Sequence, residues 1–190
     1  MGRPALVQSD DLLARLSIAF RDSGFEAASM AVLSERTGLK RASLYHRFPG
    51  GKEQMASEVL DQAYKWLDEN ILGPLRSDVL PAERIDVMVE RLGEFYEDGE
   101  RACLLNMLSS PIERDGPFAE PIRRTFQAWI EALADCVAQV GVSDVEARRR
   151  AMRAVAAVQG ALVLSRGLGR TDPFRDALAD LPALLLNDPG

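Results

Sequence analysis

Residues 29–48 read Ser-Met-Ala-Val-Leu-Ser-Glu-Arg-Thr-Gly-Leu-Lys-Arg-Ala-Ser-Leu-Tyr-His-Arg-Phe, and this stretch decides the fold. Ser29 is placed to cap a helix ending at Thr37. Gly38 supplies a turn that calls for a positive φ. A second helix, Lys40 to Phe48, follows, and it is too short to be stable alone. Leu44 and Phe48 lie four apart and face inward. Lys40, Arg41, Ser43, Tyr45, His46 and Arg47 are left pointing out. Two short helices across a tight turn make a helix-turn-helix. The donor-rich outer face of the second suits the major groove of DNA, where phosphates and base edges accept hydrogen bonds.

The surrounding chain has 190 residues, 47% of them hydrophobic, which allows one domain or two small ones with a real core. No apolar run approaches the length of a membrane span, and the N-terminus lacks the apolar stretch of a signal peptide. The cysteines Cys103 and Cys136 form no metal spacing and no disulfide framework, so a reducing cytoplasm is the expected compartment. The net charge of −6 would argue against a nucleic-acid partner if it were evenly spread. Residues 1–52 instead hold eight Lys/Arg against five Asp/Glu, and the remainder 15 against 24. Screening limits the reach of the acidic body to about 10 Å, so the basic head can still bind DNA.

All of the chain reads as helix, in an all-α fold of about nine helices. Ser9-Asp10-Asp11 starts the first, Leu12, Leu13, Leu16 and Phe20 line it, and Gly24 ends it. After Pro49-Gly50-Gly51 a long helix runs from Lys52 to about Asn70, with Gly73-Pro74 as a boundary. Pro81 opens a helix carrying Ile85, Met88, Val89, Leu92 and Tyr96, closed by Gly99. A short helix covers about Ala102 to Ser109, and a loop runs from Pro111 to Pro117. Another helix, about Phe118 to Val140, repeats Ile122, Phe126, Trp129, Ile130, Leu133, Val137 and Val140 at threes and fours. Ser143-Asp144-Val145-Glu146 forms a capping box for a helix to about Arg166. Asp172-Pro173 opens the last helix, which Pro182 is expected to kink or split.

With these elements laid out, the chain resembles a TetR-family transcriptional regulator. The resemblance rests on residues 11–56: Gly-Leu-Lys-Arg-Ala-Ser-Leu-Tyr-His-Arg-Phe at 38–48, then Lys52-Glu53, with Gly24-Phe25 and Ser29 before it. Phe48-Pro49-Gly50-Gly51-Lys52-Glu53-Gln54-Met55 and Arg101-Ala102-Cys103-Leu104-Leu105 resemble the LmrA/YxaF branch. Family members often carry alanine where Ser34 stands, and its hydroxyl is expected to bond back to the preceding turn. The resemblance implies an N-terminal helix-turn-helix domain, here 1–51, and a helical ligand-binding and dimerisation domain, here 52–190. It also implies a homodimer that a small-molecule effector releases from its operator.

Lys40 and Arg41 then match positions in or beside the major groove, and Ser43, small and on the exposed face, is placed to touch a base edge or a phosphate. Tyr45 and His46 match phosphate-touching positions. Lys52, with the free N–H groups of its helix, suits a phosphate, and Ser29 does so on the other flank. Arg3 lies on a short arm. Plainer alternatives are a solvated basic face for 40–47 and a core aromatic for Tyr45. For the effector, an apolar pocket between helices is expected from Trp66, Met88, Phe95, Tyr96, Cys103, Met107, Phe126 and Trp129, with Asn106 and Gln159 as polar groups. Core packing is the equal alternative for each. The stripe Ala147, Ala151, Ala154, Val155, Val158, Ala161 and Leu162, with Phe174, Ala177, Leu178, Leu181 and Leu185, suits a dimer interface or packing within one subunit.

No nucleophile–base pair, phosphate loop or metal cluster is present in the sequence, so neither an enzyme nor a cofactor is expected. A helical small-molecule or protein-interaction module without DNA binding is the competing function. It leaves the basic outer face of 40–47 unexplained.

Overall fold

The computed structural model describes residues 9–109 and 116–187. Arg3 and most of the loop between Pro111 and Pro117 lie outside the described residues. The described residues form two compact units, one of residues 9–63, 104–109 and 116–121, the other of residues 64–103 and 122–187. Among them the regular structure is helical throughout.

In the first unit α1 (Ser9–Ala27) buries Leu12, Leu16, Ala19 and Phe20. Its helical geometry breaks at Gly24, at φ 74° and ψ 169°, so Phe25 to Ala27 turn off the main axis. α2 (Met30–Thr37) and α3 (Arg41–Arg47) follow. The short α6 (Leu104–Leu108) packs on α1, where Met107 lies against Gly24. Phe25 meets Phe118 edge-on at 4.8 Å between ring centroids.

α4 (Gly51–Leu67) does not stop near Asn70. It continues through a π-helical turn, Asp68–Leu72, into a last α turn, Gly73–Leu75. The expected boundary at Gly73-Pro74 is therefore absent. In a regular α-helix Pro74 would clash with the carbonyl of Asn70 and leave it without a donor. The wider turn, in which the Gly73 N–H donates to the Asp68 carbonyl, gives that proline room.

The second unit adds α5 (Pro81–Phe95), α7 (Ala119–Ala138) from Ile122 onward, α8 (Asp144–Leu168) and α9 (Asp172–Leu186). Buried Arg84 joins the end of the α4 extension to the start of α5. Its Nε donates to the Val79 carbonyl at 2.6 Å and its Nη1 to the Leu75 carbonyl at 3.3 Å. Burial pushes the neighbouring Cys136 thiol up from its ordinary pKa, against the opposing pull of the Arg84 charge, which disfavours the thiolate.

α8 and α9 pack along their lengths. Ala147, Ala151, Ala154, Val155, Val158, Ala161 and Leu162 are all buried in a single chain, as are Phe174, Leu178, Leu181 and Leu185. The small-residue stripe is thus consumed inside the subunit, and alanine is what lets α9 approach closely. Pro182 does not split α9, which stays helical to Leu186. The buried contacts of Leu178, Leu181 and Leu185 outweigh one missing hydrogen bond.

The capping box at 143–146 is half formed. Ser143 Oγ accepts from the Glu146 N–H at 3.3 Å. The Glu146 carboxylate turns away to Arg149 Nε at 2.7 Å and Arg150 Nε at 2.9 Å. Two charged donors outcompete the backbone N–H that the box would have satisfied. Arg150 is 2% exposed and also donates from Nη1 to the Leu185 carbonyl at 3.2 Å, fastening the end of α9 to α8.

Candidate nucleic-acid interface

The turn between α2 and α3 is built by local hydrogen bonds. Ser29 caps α2 by accepting from the Val32 N–H at 3.3 Å. Gly38 closes it in the left-handed region at φ 71°. Thr37 Oγ1 donates to the Leu33 carbonyl at 2.7 Å and accepts from the Leu39 N–H at 3.3 Å. Ser34 bonds forward across the turn to the Leu39 carbonyl at 2.5 Å, not back along α2 as the sequence suggested. The forward bond wins because it satisfies a turn carbonyl that no helical N–H can reach. These contacts fix the angle between the helices without help from α3's own weak helical stability.

Leu33, Leu44 and Phe48 are completely buried and hold α3 to its unit. Each such side chain contributes about 1.5–3 kcal/mol. Lys40 caps α3 without a side-chain bond, and Arg41, Ser43, Tyr45 and His46 are exposed beside it. The side chains of Lys40, Arg41 and His46 make no hydrogen bond or ion pair with any described residue. Tyr45 keeps 49% exposure while its ring edge lies against Gly51 at the start of α4. Ser29 is exposed on the flank.

Two predicted outward residues behave differently. The Lys52 ammonium points inward, donating to the carbonyl of Phe25 at 2.8 Å and of Glu26 at 3.4 Å, 4.2 Å from the Phe25 ring centroid. It pins α4 to the turn after Gly24, where carbonyls leaving α1 need donors. Arg47 is held by Glu58 of α4 at 3.0 Å. Sequence reasoning missed that partner, although Gly50, Gln54 and Glu58 recur at the four-residue helical spacing that brings side chains together.

The residues expected around an effector are divided between the units. In the second, Trp66 stacks on Phe95 at 3.9 Å, Tyr96 meets Phe95 edge-on at 5.0 Å, and the Tyr96 hydroxyl donates to Cys103 Sγ at 3.7 Å. Met88 and Trp129 are buried in that unit and Phe126 is half-buried. Met107 belongs to the first unit, against Gly24, and Asn106 beside it is exposed. α6 turns its apolar side to α1 within that unit.

Residues 13–59 match the family model for bacterial regulatory proteins of the tetR family. Residues 81–180 match that for the LmrA/YxaF-like transcriptional regulator C-terminal domain. The chain belongs to the LmrA/YxaF-like branch of the TetR family. It is 22% identical over 179 residues to the HTH-type transcriptional regulator LmrA of Bacillus subtilis, covering 93% of this chain and 95% of the relative. YxaF of the same organism is 23% identical, with coverage of 82% and 83%. Among solved structures, a TetR regulator from Legionella pneumophila superimposes with a TM-score of 0.79 at 18% identity, over 95% of this chain and 99% of that one. A cysteine mutant of CifR, solved with 26-base-pair operator DNA, gives 0.72 at 22% identity, over 96% and 98%. These likenesses show the shared fold. This TetR-family chain is thus a DNA-binding transcriptional regulator and not an enzyme. No helix among its described residues is long and apolar enough to cross a membrane.

Proposed function

We propose that this regulator is a cytoplasmic, dimeric repressor that binds a two-fold operator through α3 and is released by a mostly apolar, aromatic effector. The observation that carries the proposal is the exposed group Lys40, Arg41 and His46 on α3, whose side chains make no hydrogen bond or ion pair with any described residue. Lys40 and Arg41 read bases, Ser43 touches a base edge or phosphate, and Tyr45, His46 and Ser29 hold phosphates. Lys52 serves this face indirectly, by anchoring α4 beside it. The functional division lies near residue 51, with the DNA-contacting elements before it. Titration of operator and random duplexes across salt concentrations tests the assignment.

One short recognition helix reads too few bases alone, which favours a dimer. With the alanine stripe used internally, the opposite side of α8 is the face for a second copy. Met152, Val163 and Leu164 are 52%, 53% and 56% exposed there, and Ala156 and Gly160 lie between them. A Cβ at Gly160 would meet nothing, so Gly160→Glu suits the isolated subunit and places a charge only at the interface. Sedimentation is expected to show folded monomers with sharply weakened operator binding. A Gly160→Glu protein that stays dimeric rules this face out.

For the effector, the support is the aromatic group Trp66, Phe95 and Tyr96 with buried Trp129. The buried donors Trp129 Nε1 and Gln159 Nε2 have no acceptor among the described residues, which favours an aromatic compound bearing an acceptor group. Such a compound should quench tryptophan fluorescence and weaken operator binding at least tenfold, about 1.4 kcal/mol of coupling. Quenching with unchanged operator affinity would show binding without induction.

A further inference from the structure

We propose that Glu58 sets the strength and salt dependence of DNA binding by withholding Arg47 from the phosphate backbone. The proposal rests on α3 lying at the major groove. Arg47 is on the last turn of α3, next to the phosphate-contacting candidates Tyr45 and His46, and arginine is the side chain best shaped to grip a phosphate through two N–H groups. Here that fork is occupied. Arg47 Nη2 donates to Glu58 Oε2 at 3.0 Å and Nη1 to Oε1 at 3.4 Å, with the guanidinium 4.7 Å from the Phe48 ring centroid.

Glu58 is itself held in place. Gln54 Nε2 donates to Glu58 Oε1 at 2.8 Å, and Gln54 Oε1 accepts from the Gly50 N–H at 2.8 Å. A relay thus runs from the loop after α3, along one side of α4, to the carboxylate that faces Arg47. The Arg47 and Glu58 side chains are 43% and 28% exposed. An ion pair in such contact with water adds little to stability. What it does is neutralise a cation on a surface where Lys40 and Arg41 have no partner among the described residues. Phosphate contacts supply non-specific affinity, which every sequence shares. Withholding one from each subunit lowers this shared affinity and its salt dependence, and leaves base readout untouched.

The test is the salt dependence of binding to random duplex by the full chain and three variants. Glu58→Gln keeps the length and the acceptor for Gln54 but loses the charge. It is expected to steepen the slope of log K against log salt by about one unit per subunit, and to strengthen random-duplex binding roughly three- to tenfold. Arg47→Gln should leave the slope unchanged, and the double variant should return to the wild-type slope. A gain that persists in the double variant overturns the proposal, since it would follow from removing any negative charge. So does a Glu58→Gln slope equal to wild type. A flatter slope in Arg47→Gln overturns it too, and this arm stands even if Glu58→Gln fails to fold. A wild type with no salt-dependent duplex binding would instead refute the placement of α3 itself.

Discussion

Replacing Lys40 or Arg41 with alanine should cost about 1–3 kcal/mol at each half-site that loses a base contact. A dimer loses it at both, so operator affinity should fall by about 2–6 kcal/mol. Random duplex should be affected far less. The expectation follows from where these residues sit: Lys40 is the N-cap of α3 and Arg41 its first residue, both exposed and without partners among the described residues. Recognition helices present their N-terminal residues to base edges. Neither substitution removes a buried contact, so melting temperature should stay near wild type. Paired titrations against operator and random duplex measure the difference. Equal losses on both would reassign these residues to phosphates.

Arg150→Ala is expected to be the most destabilising single substitution in the second unit, at about 3 kcal/mol, which for a chain of this size is a shift of about 6–12 °C in Tm. The side chain is 2% exposed, so truncation leaves a cavity between α8 and α9. The Leu185 carbonyl also loses its donor. Arg150→Met keeps most of the volume and should recover part of the loss. An alanine variant that melts with wild type would show that the clamp carries no stability. The partner carboxylate adds a pH signature. The Glu146 pKa is lowered from 4.5 to about 2, chiefly by its hydrogen bonds from Arg149 and Arg150. A depressed folded-state pKa means its contribution is complete above pH 4.5 and is lost as pH falls towards 2. Stability of wild type and Glu146→Gln should therefore converge over that interval.

The sequence by itself determined the local structure wherever the decisive partner lies within a few residues. The cap at Ser29, the left-handed residue at Gly38 and the inward pair Leu44 and Phe48 are set by backbone geometry and helical period. So the helix-turn-helix, the exposed donors of α3 and the all-helical class were legible, and the motif carried the family. What the sequence left open was which of two chemically sensible partners each side chain takes. Lys52 could meet a phosphate or the carbonyls of Phe25 and Glu26, and chain return after Gly24 supplies the carbonyls. Arg47 reads as one more outward cation until α4 brings Glu58 to it. The alanine stripe of α8 is equally suited to a second subunit or to α9. Only packing shows that α9 takes it and leaves Met152, Val163 and Leu164 outside. Met107 has a ligand-lining composition, yet α6 folds back on α1 and spends it against Gly24. In each case the residue's chemistry is local, while its partner comes from an element many residues away, and burying apolar surface decides which element arrives.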